Sequence, residues 1–502
     1  MGNHFTQLKQ RLGEVSDLDH ATAVLSWDQE TYMPEGSVAP RSEQLATLSK
    51  LSHEMFTAPA TLRQLKAAAE ETDTQKNAKN LAIVTVSRED YARARKLPAD
   101  FVAEVSRTSS QAQHAWMDAR KKSEFKLFAP WLRKNIELAR RRADYLGYAD
   151  HPYDALLDQY EPGMKTSDVH RIFEELRVKT VPLIQQIAAR SERVGDACIH
   201  QAFDKAAQER FGRHVAEVIG YDFKRGRVDY TTHPFCTTFG IDDVRITTRV
   251  DENFLNPYLF GVMHEVGHAL YEQGIDHAYE RTPLASGTSL GLHESQSRMW
   301  ENLVGRSREF WQFMWPSLVT HFPQLAEAGV EDFYEAINKV EPSLIRVEAD
   351  ELTYNMHIMV RFEMEVAMIE GNLKVKDIPE VWNQKYNDYL GITPPNDALG
   401  CLQDTHWAGV GIGYFSTYSL GNIISAQLLE SAERAMPTLR DDFSHGRFGQ
   451  LLTWLRRNVH QHGRRFKPQE LVKRVTGNTI DPTAYIAYLT TKYSELYELD
   501  HA

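Results

Sequence analysis

Between Asn256 and Gly274 the chain reads N-P-Y-L-F-G-V-M-H-E-V-G-H-A-L-Y-E-Q-G. Asn256 is a fair N-cap, Pro257 suits the first helical position and Gly274 suits a stop, so this stretch is predicted to be one helix. His264 and His268 stand four residues apart. At about 100° per residue that spacing puts both imidazoles on one face, a turn apart, where they can share a metal ion. Glu265, beside His264, places a carboxylate where it can take a proton from water at that ion. This is the H-E-x-x-H arrangement of zinc hydrolases. The simpler reading is an exposed helix with two histidines a turn apart, and in a His-rich chain of this length the three fixed letters arise by chance at roughly 5%.

A catalytic zinc site needs three protein ligands and one open position. Acidic residues on a downstream helix are the candidates, and Glu294 is the strongest. It lies 26 residues after His268, enough for a connecting loop and a returning helix. Its simpler role is an i,i+4 ion pair with Arg298. His293 is also a candidate, but neighbours on a helix point about 100° apart, so only one of the two can face the metal well.

The 502 residues exceed the usual size of a single core, so two lobes or several subdomains are expected. No repeat, low-complexity segment or linker interrupts them, which favours one continuous catalytic domain over residues 1–502. The net charge of −12 argues against a nucleic-acid partner. Cys198, Cys236 and Cys401 offer no disulfide framework, and there is no signal-peptide pattern or apolar run of membrane length. A cytoplasmic location and no membrane partner are expected.

From Phe5 to about Gly220 the apolar period is helical, as in Thr61–Thr72, Ala99–Lys121 and Phe128–Leu146, and a scaffolding or lid role is expected for this part. Between Arg227 and Glu252 the period becomes two, with Val228, Tyr230, Val244, Ile246, Thr248 and Val250 alternating with polar residues. This predicts a small antiparallel sheet just before the histidine helix, either a structural hairpin or a strand edge along the cleft. Helices dominate again from Phe310 to Ile392. A loop rich in glycine and aromatic residues follows, G-C-L-Q-D-T-H-W-A-G-V-G-I-G-Y-F-S-T-Y-S-L-G-N, and then helix to the end. Residues 256–420 are the expected active-site core of a mainly α protein.

Six motifs occur in order: His233-Pro234-Phe235; Asp243-Val244-Arg245-Ile246-Thr247; His264-Glu265-Val266-Gly267-His268; His293-Glu294-Ser295-Gln296; Ile345-Arg346-Val347-Glu348-Ala349-Asp350; and Gly400-Cys401-Leu402-Gln403-Asp404-Thr405-His406-Trp407. Trp27-Asp28 and Met33-Pro34 precede them, and Trp454-Leu455 and His460 follow. In these residues the chain resembles the carboxypeptidase Taq-type metallocarboxypeptidases over essentially its whole length. The resemblance implies a large helical fold with a deep active-site cleft, a homodimer, and metal-dependent release of single C-terminal residues from short peptides. Specificity is expected to be broad but poor for C-terminal proline. It carries zinc ligation to His264, His268 and Glu294, one ion per subunit with cobalt(II) an expected substitute, and the catalytic carboxylate to Glu265.

A tetrahedral oxyanion needs a donor besides the metal, and His406, Tyr414 and Tyr418, in the glycine-flexed loop, are candidates. Their plainer role is a packed aromatic loop. A carboxypeptidase must also bind a free carboxylate, which arginine does bidentately. Arg346 is the first choice, with an i,i+4 pair to Asp350 as its simpler role on a predicted helix, and Arg245 is the reserve. For His233 and Gln403 the resemblance implies a place along the substrate; the plainer reading of His233 is a capped turn before Pro234. Two other readings stand beside this one. A helical zinc dipeptidyl carboxypeptidase or oligopeptidase would share the zinc motif, and a catalytically dead helical binding protein would not need the intact set of His264, Glu265, His268 and Glu294.

Overall fold

A computed structural model of the chain describes residues 3–231 and 234–499, so His233 lies outside the described residues. The long Ala-, Leu-, Glu-, Lys- and Arg-rich stretches fold as helices, as their propensity and apolar period require. The first compact unit comprises Met1–Arg95, Asp196–Ile337 and Leu428–Gly477. The second comprises Lys96–Gly195, Asn338–Gln427 and Asn478–Ala502. Among the described residues no helix is long and apolar enough to cross a membrane.

In the first unit the long helix α1 (Asn3–Thr31) buries Phe5, Leu8 and Leu12, spaced as one helical face. They join Leu65, Ile83, Val84 and Tyr91 in a core that also takes in Ile241, Ile275, Tyr279 and Leu284. The last three follow the histidine helix directly, so the N-terminal helices brace the end of that helix. Each fully buried leucine stabilises this arrangement by about 1.5–3 kcal/mol.

Three short strands precede the histidine helix: β1 (Val228–Tyr230), β2 (Cys236–Thr238) and β3 (Val244–Thr248). β3 is central. β2 runs antiparallel to it, with Cys236 opposite Ile246, whereas β1 runs parallel to it, with Val228 opposite Ile246. The sheet is therefore mixed, which corrects the expectation of an antiparallel one. Alternation of apolar and polar residues reports which face a side chain occupies but not the direction of the neighbouring strand. The strand β2 carries no such alternation, and its insertion sends β3 back alongside β1 in the same direction. Val250 lies beyond the end of β3.

The histidine stretch is helix α2 (Asn256–Gln273), which packs on β3. Asn256 is its first residue rather than its cap. Gly274 ends it with φ −91°, a value open to any residue. What requires glycine there is space, because a Cβ would stand 2.6 Å from the His460 ring. A loop leads to α3 (Leu290–Arg298), capped by the Ser289 hydroxyl accepting from the Leu292 N–H at 3.1 Å. One π-helical stretch, Met299–Val304, continues it.

In the second unit the helix Phe125–Leu146 buries Phe128, Leu132, Ile136, Ala139 and Ala143 along one stripe. Helix α4 (Tyr354–Glu370) is buried on nearly every side, including the polar His357, Arg361 and Glu365. A helix without a solvated face must satisfy such groups internally: Arg361 and Glu365 do so by gripping the Gly400–Gly413 loop, and His357 Nδ1 faces Tyr386 Oη.

Candidate active site

Helices α2 and α3 cross closely enough to bring three ligand atoms together. His264 Nε2 lies 3.6 Å and His268 Nε2 3.4 Å from the same oxygen, Glu294 Oε2. All three atoms fall within 4.8 Å of one another. Ligands about 2.1 Å from a tetrahedral zinc ion stand about 3.4 Å apart, so two imidazole nitrogens and one carboxylate oxygen at these separations fit such an ion. The close crossing depends on Gly267, where a Cβ would meet the Gln296 carbonyl oxygen and the Ser297 Cα, each at 2.5 Å. The expected pairing of Glu294 with Arg298 is present as well: Arg298 Nε donates to Glu294 Oε1 at 2.7 Å. The carboxylate thus gives one oxygen to the guanidinium and the other to the histidines.

Charges around the triad are distributed by burial and by these partners. Burial pushes the Glu265 carboxyl up to about 7 and pulls the His268 imidazolium down to about 3. Burial also opposes the charging of His264, but Glu294 and Glu301 outweigh it and hold that imidazole up at about 9. For Glu294 burial is outweighed in the other direction: Arg298 and the two histidines hold it well below the usual carboxylate range. A dication among these groups pulls all four values down.

Glu301 and Glu272, not singled out in the sequence, and His293, a candidate ligand there, stand behind the two histidines. His264 Nδ1 faces Glu301 Oε2 at 2.8 Å, from the π-helical stretch. His268 Nδ1 faces His293 Nδ1 at 2.6 Å, and His293 Nε2 faces Glu272 Oε1 at 2.8 Å. His293 therefore turns to the back of His268 rather than into the triad. Glu272, four residues beyond His268 on α2, carries a detectable signal in its spacing. Glu301, inside the π-helical stretch, lies seven residues or about two turns beyond Glu294, so its spacing carries a signal as well.

The second unit assembles most of the remaining predicted residues. Arg346 starts a three-residue 3-10 turn, Arg346–Glu348, instead of lying on an α-helix. Its partner is not Asp350, which accepts from Leu352 and Thr353. Arg346 Nε and Nη2 donate to Asp404 Oδ1 at 3.0 and 2.9 Å, and Nη1 donates to Tyr354 Oη at 3.0 Å. Arg361 Nε donates to the other oxygen, Asp404 Oδ2, at 2.6 Å. Burial opposes the charge on Asp404, yet the two guanidiniums hold it far below the usual range.

Gln403 is engaged at both ends: its Oε1 accepts from the Arg346 N–H and from Arg361 Nη2, and its Nε2 donates to Leu344 O. His406 Nε2 lies 3.3 Å from Tyr418 Oη, and its ring is 5.2 Å from that of Tyr414. Burial pulls the His406 imidazolium down to about 4. The Arg346 guanidinium carbon sits 5.0 Å from the Tyr418 ring centre. His406, Tyr414, Tyr418 and Arg346 therefore form one cluster. Arg245, in the first unit, is tied to Asp243 by two 2.8 Å hydrogen bonds and stacks on Trp27 and Phe239.

Comparison with known proteins agrees with this geometry. A model of the family described as carboxypeptidase Taq (M32) metallopeptidase matches residues 7–493. Thermostable carboxypeptidase 1 of Thermus thermophilus is 41% identical over 494 residues, covering 96% of this chain and 97% of its own. Carboxypeptidase 1 of Bacillus subtilis is 40% identical over 489 residues, covering 97% of each. The crystal structure of the M32 carboxypeptidase from Deinococcus radiodurans R1 superposes with a TM-score of 0.97 at 41% identity, over 99% of this chain and 100% of that one. A half-buried two-histidine, one-glutamate site on crossed helices and a match along nearly the whole chain converge on one assignment: the chain belongs to the carboxypeptidase Taq (M32) metallopeptidase family and is a metallocarboxypeptidase.

Proposed function

We propose that the metal is zinc, one ion per subunit held by His264, His268 and Glu294, and that the enzyme releases single residues from the free C-termini of short peptides. Broad preference for the departing residue, poor action on C-terminal proline, a homodimeric state and a cytoplasmic location complete the reading. The observation that carries it is the convergence of two imidazole nitrogens and one carboxylate oxygen within 4.8 Å. Two nitrogens, one oxygen and an open fourth position suit catalytic zinc, and cobalt(II) accepts the same donors. The free thiols of Cys198, Cys236 and Cys401 suit a reducing compartment.

Zinc in such a site polarises the scissile carbonyl and lowers the pKa of water. Glu265 takes the proton from the attacking water on its carboxylate and returns it to the leaving amine. His406, Tyr414 and Tyr418 are the candidate donors to the carbonyl oxygen as charge develops on it. Arg346 binds the substrate carboxylate, with Asp404 and Tyr354 holding its guanidinium in one orientation and Gln403 holding its backbone N–H; Arg245 and His233 remain candidates along the peptide. The whole chain, residues 1–502, acts as one catalytic domain.

The test combines metal content with products. About one zinc ion per chain, single residues released from a short free-acid peptide and little action on its C-terminal amide are expected. Release of dipeptides or internal fragments, or equal action on the amide, would instead indicate a dipeptidyl carboxypeptidase or an oligopeptidase.

A further inference from the structure

The two imidazoles of the candidate metal site are supported from behind in different ways. His264 turns Nδ1 to a carboxylate, Glu301, at 2.8 Å, and Arg298 flanks that carboxylate at 3.1 Å. His268 turns Nδ1 to another imidazole nitrogen, His293 Nδ1, at 2.6 Å. Two ring nitrogens in contact hold one proton between them. For His268 to present a lone pair from Nε2, that proton must sit on its own Nδ1, so His293 Nδ1 accepts. The remaining proton of His293 then sits on Nε2 and is donated to Glu272 Oε1 at 2.8 Å. A carboxylate oxygen is the acceptor toward a ring N–H, so Glu272 fixes the direction of the whole chain.

The surroundings hold this arrangement in place. Glu272 is buried, and among the described residues it has no lysine or arginine partner. Its Oε1 takes a second hydrogen bond, from the Gly287 N–H at 3.2 Å. A Cβ on Gly287 would stand 2.6 Å from His293 Cδ2 and 3.1 Å from Tyr271 Cε1, so the loop can cover the ring only as glycine. The Tyr271 ring lies 5.2 Å from that of His293.

The geometry points to His293 and Glu272 as a relay of positioning residues that locks the tautomer of His268 and strengthens its Nε2 as a donor. This rests on His268 being a metal ligand. Partners of this kind are worth about 10- to 100-fold in metal affinity.

Zinc dissociation constants from chelator competition and the visible absorption of the cobalt(II)-loaded protein test it, neither being a measure of activity. Glu272→Ala is expected to weaken zinc binding by about 10- to 100-fold and to shift the cobalt bands, with the helical circular dichroism of the metal-free protein unchanged. Glu272→Gln keeps an acceptor oxygen and should recover most of that loss. His293→Phe should match Glu272→Ala, and the double variant should lose no more than the weaker single one. Wild-type affinity and cobalt bands in Glu272→Ala, or additive losses in the double variant, would overturn the relay. His268→Ala, measured alongside, separates the two levels: zinc retained there at wild-type affinity would remove His268 from the ligand set itself.

Discussion

The two oxygens of Glu294 have separate partners, Arg298 on one side and two imidazoles on the other. That division keeps the carboxylate ionised and aimed before any metal arrives. Glu294→Ala removes the only acid in the triad, and metal retention after dialysis against a mild chelator is expected to fall sharply; full occupancy would take Glu294 off the ligand list. Glu265 differs because it neighbours the triad without belonging to it. Glu265→Gln is nearly isosteric yet takes no proton, so turnover should drop by a factor of at least about 10² while zinc stays bound. Near-normal turnover would assign water activation to another group. Asp404 presents the opposite problem, one carboxylate serving two buried guanidiniums. Asp404→Asn strands both cations and should cost about 3–5 kcal/mol in denaturant melts at pH 7. The folded pKa of Asp404 is depressed, so its contribution is complete above the unfolded value of about 3.9 and is lost as pH falls below it. The gap between wild type and variant should therefore be constant from pH 5 to 8 and narrow only in stronger acid.

At the scale of elements, the candidate metal site forms because α2 and α3 approach until Gly267 touches the backbone of Gln296 and Ser297. Gly267→Ala forces backbone apart rather than a flexible side chain. It should lower the melting temperature, at an overpacking cost of about 1–3 kcal/mol, and weaken zinc binding because Glu294 moves away from the histidines. Unchanged affinity would show that the crossing has slack. How far the sequence reveals such features depends on how local the information is. His264, Glu265 and His268 lie within one helical turn of spacing, and Ser289 to Glu294 within one capped helix, so both segments are legible. The direction of β1 depends on where β3 returns, and the partner of Arg346 stands 58 residues away at Asp404 rather than four away at Asp350. Periodicity carries no information about either. Gly274 shows a subtler limit: its place at a helix end is legible, but the ring of His460 that demands it is 186 residues downstream.

For the whole molecule the open question is how a site able to attack any peptide bond is confined to the last one. Confinement needs a fixed positive charge that a free carboxylate neutralises and an amide does not. The second unit contains such a surplus: two buried guanidiniums, Arg346 and Arg361, share the single carboxylate of Asp404. Arg361 is fully enclosed, with its Nη groups on His357 O and Gln403 Oε1, whereas Arg346 sits among Tyr354, Phe415 and Tyr418. Arg346 is thus the better placed of the two to meet a ligand, and its orientation is already set by Asp404. Losing a charge-assisted contact of this kind costs on the order of 2–4 kcal/mol in transition-state binding. Arg346→Ala should therefore lose about 30- to 1000-fold in kcat/KM on free-acid peptides. It should leave the low rate on C-terminal amides nearly unchanged. Arg346→Lys should recover only part, since an ammonium group cannot keep two parallel hydrogen bonds. Should Arg346→Ala prefer free acids over amides as strongly as wild type does, the clamp lies elsewhere. Arg245 would then be tested in the same way, with the added demand that it exchange its Asp243 partner for the substrate.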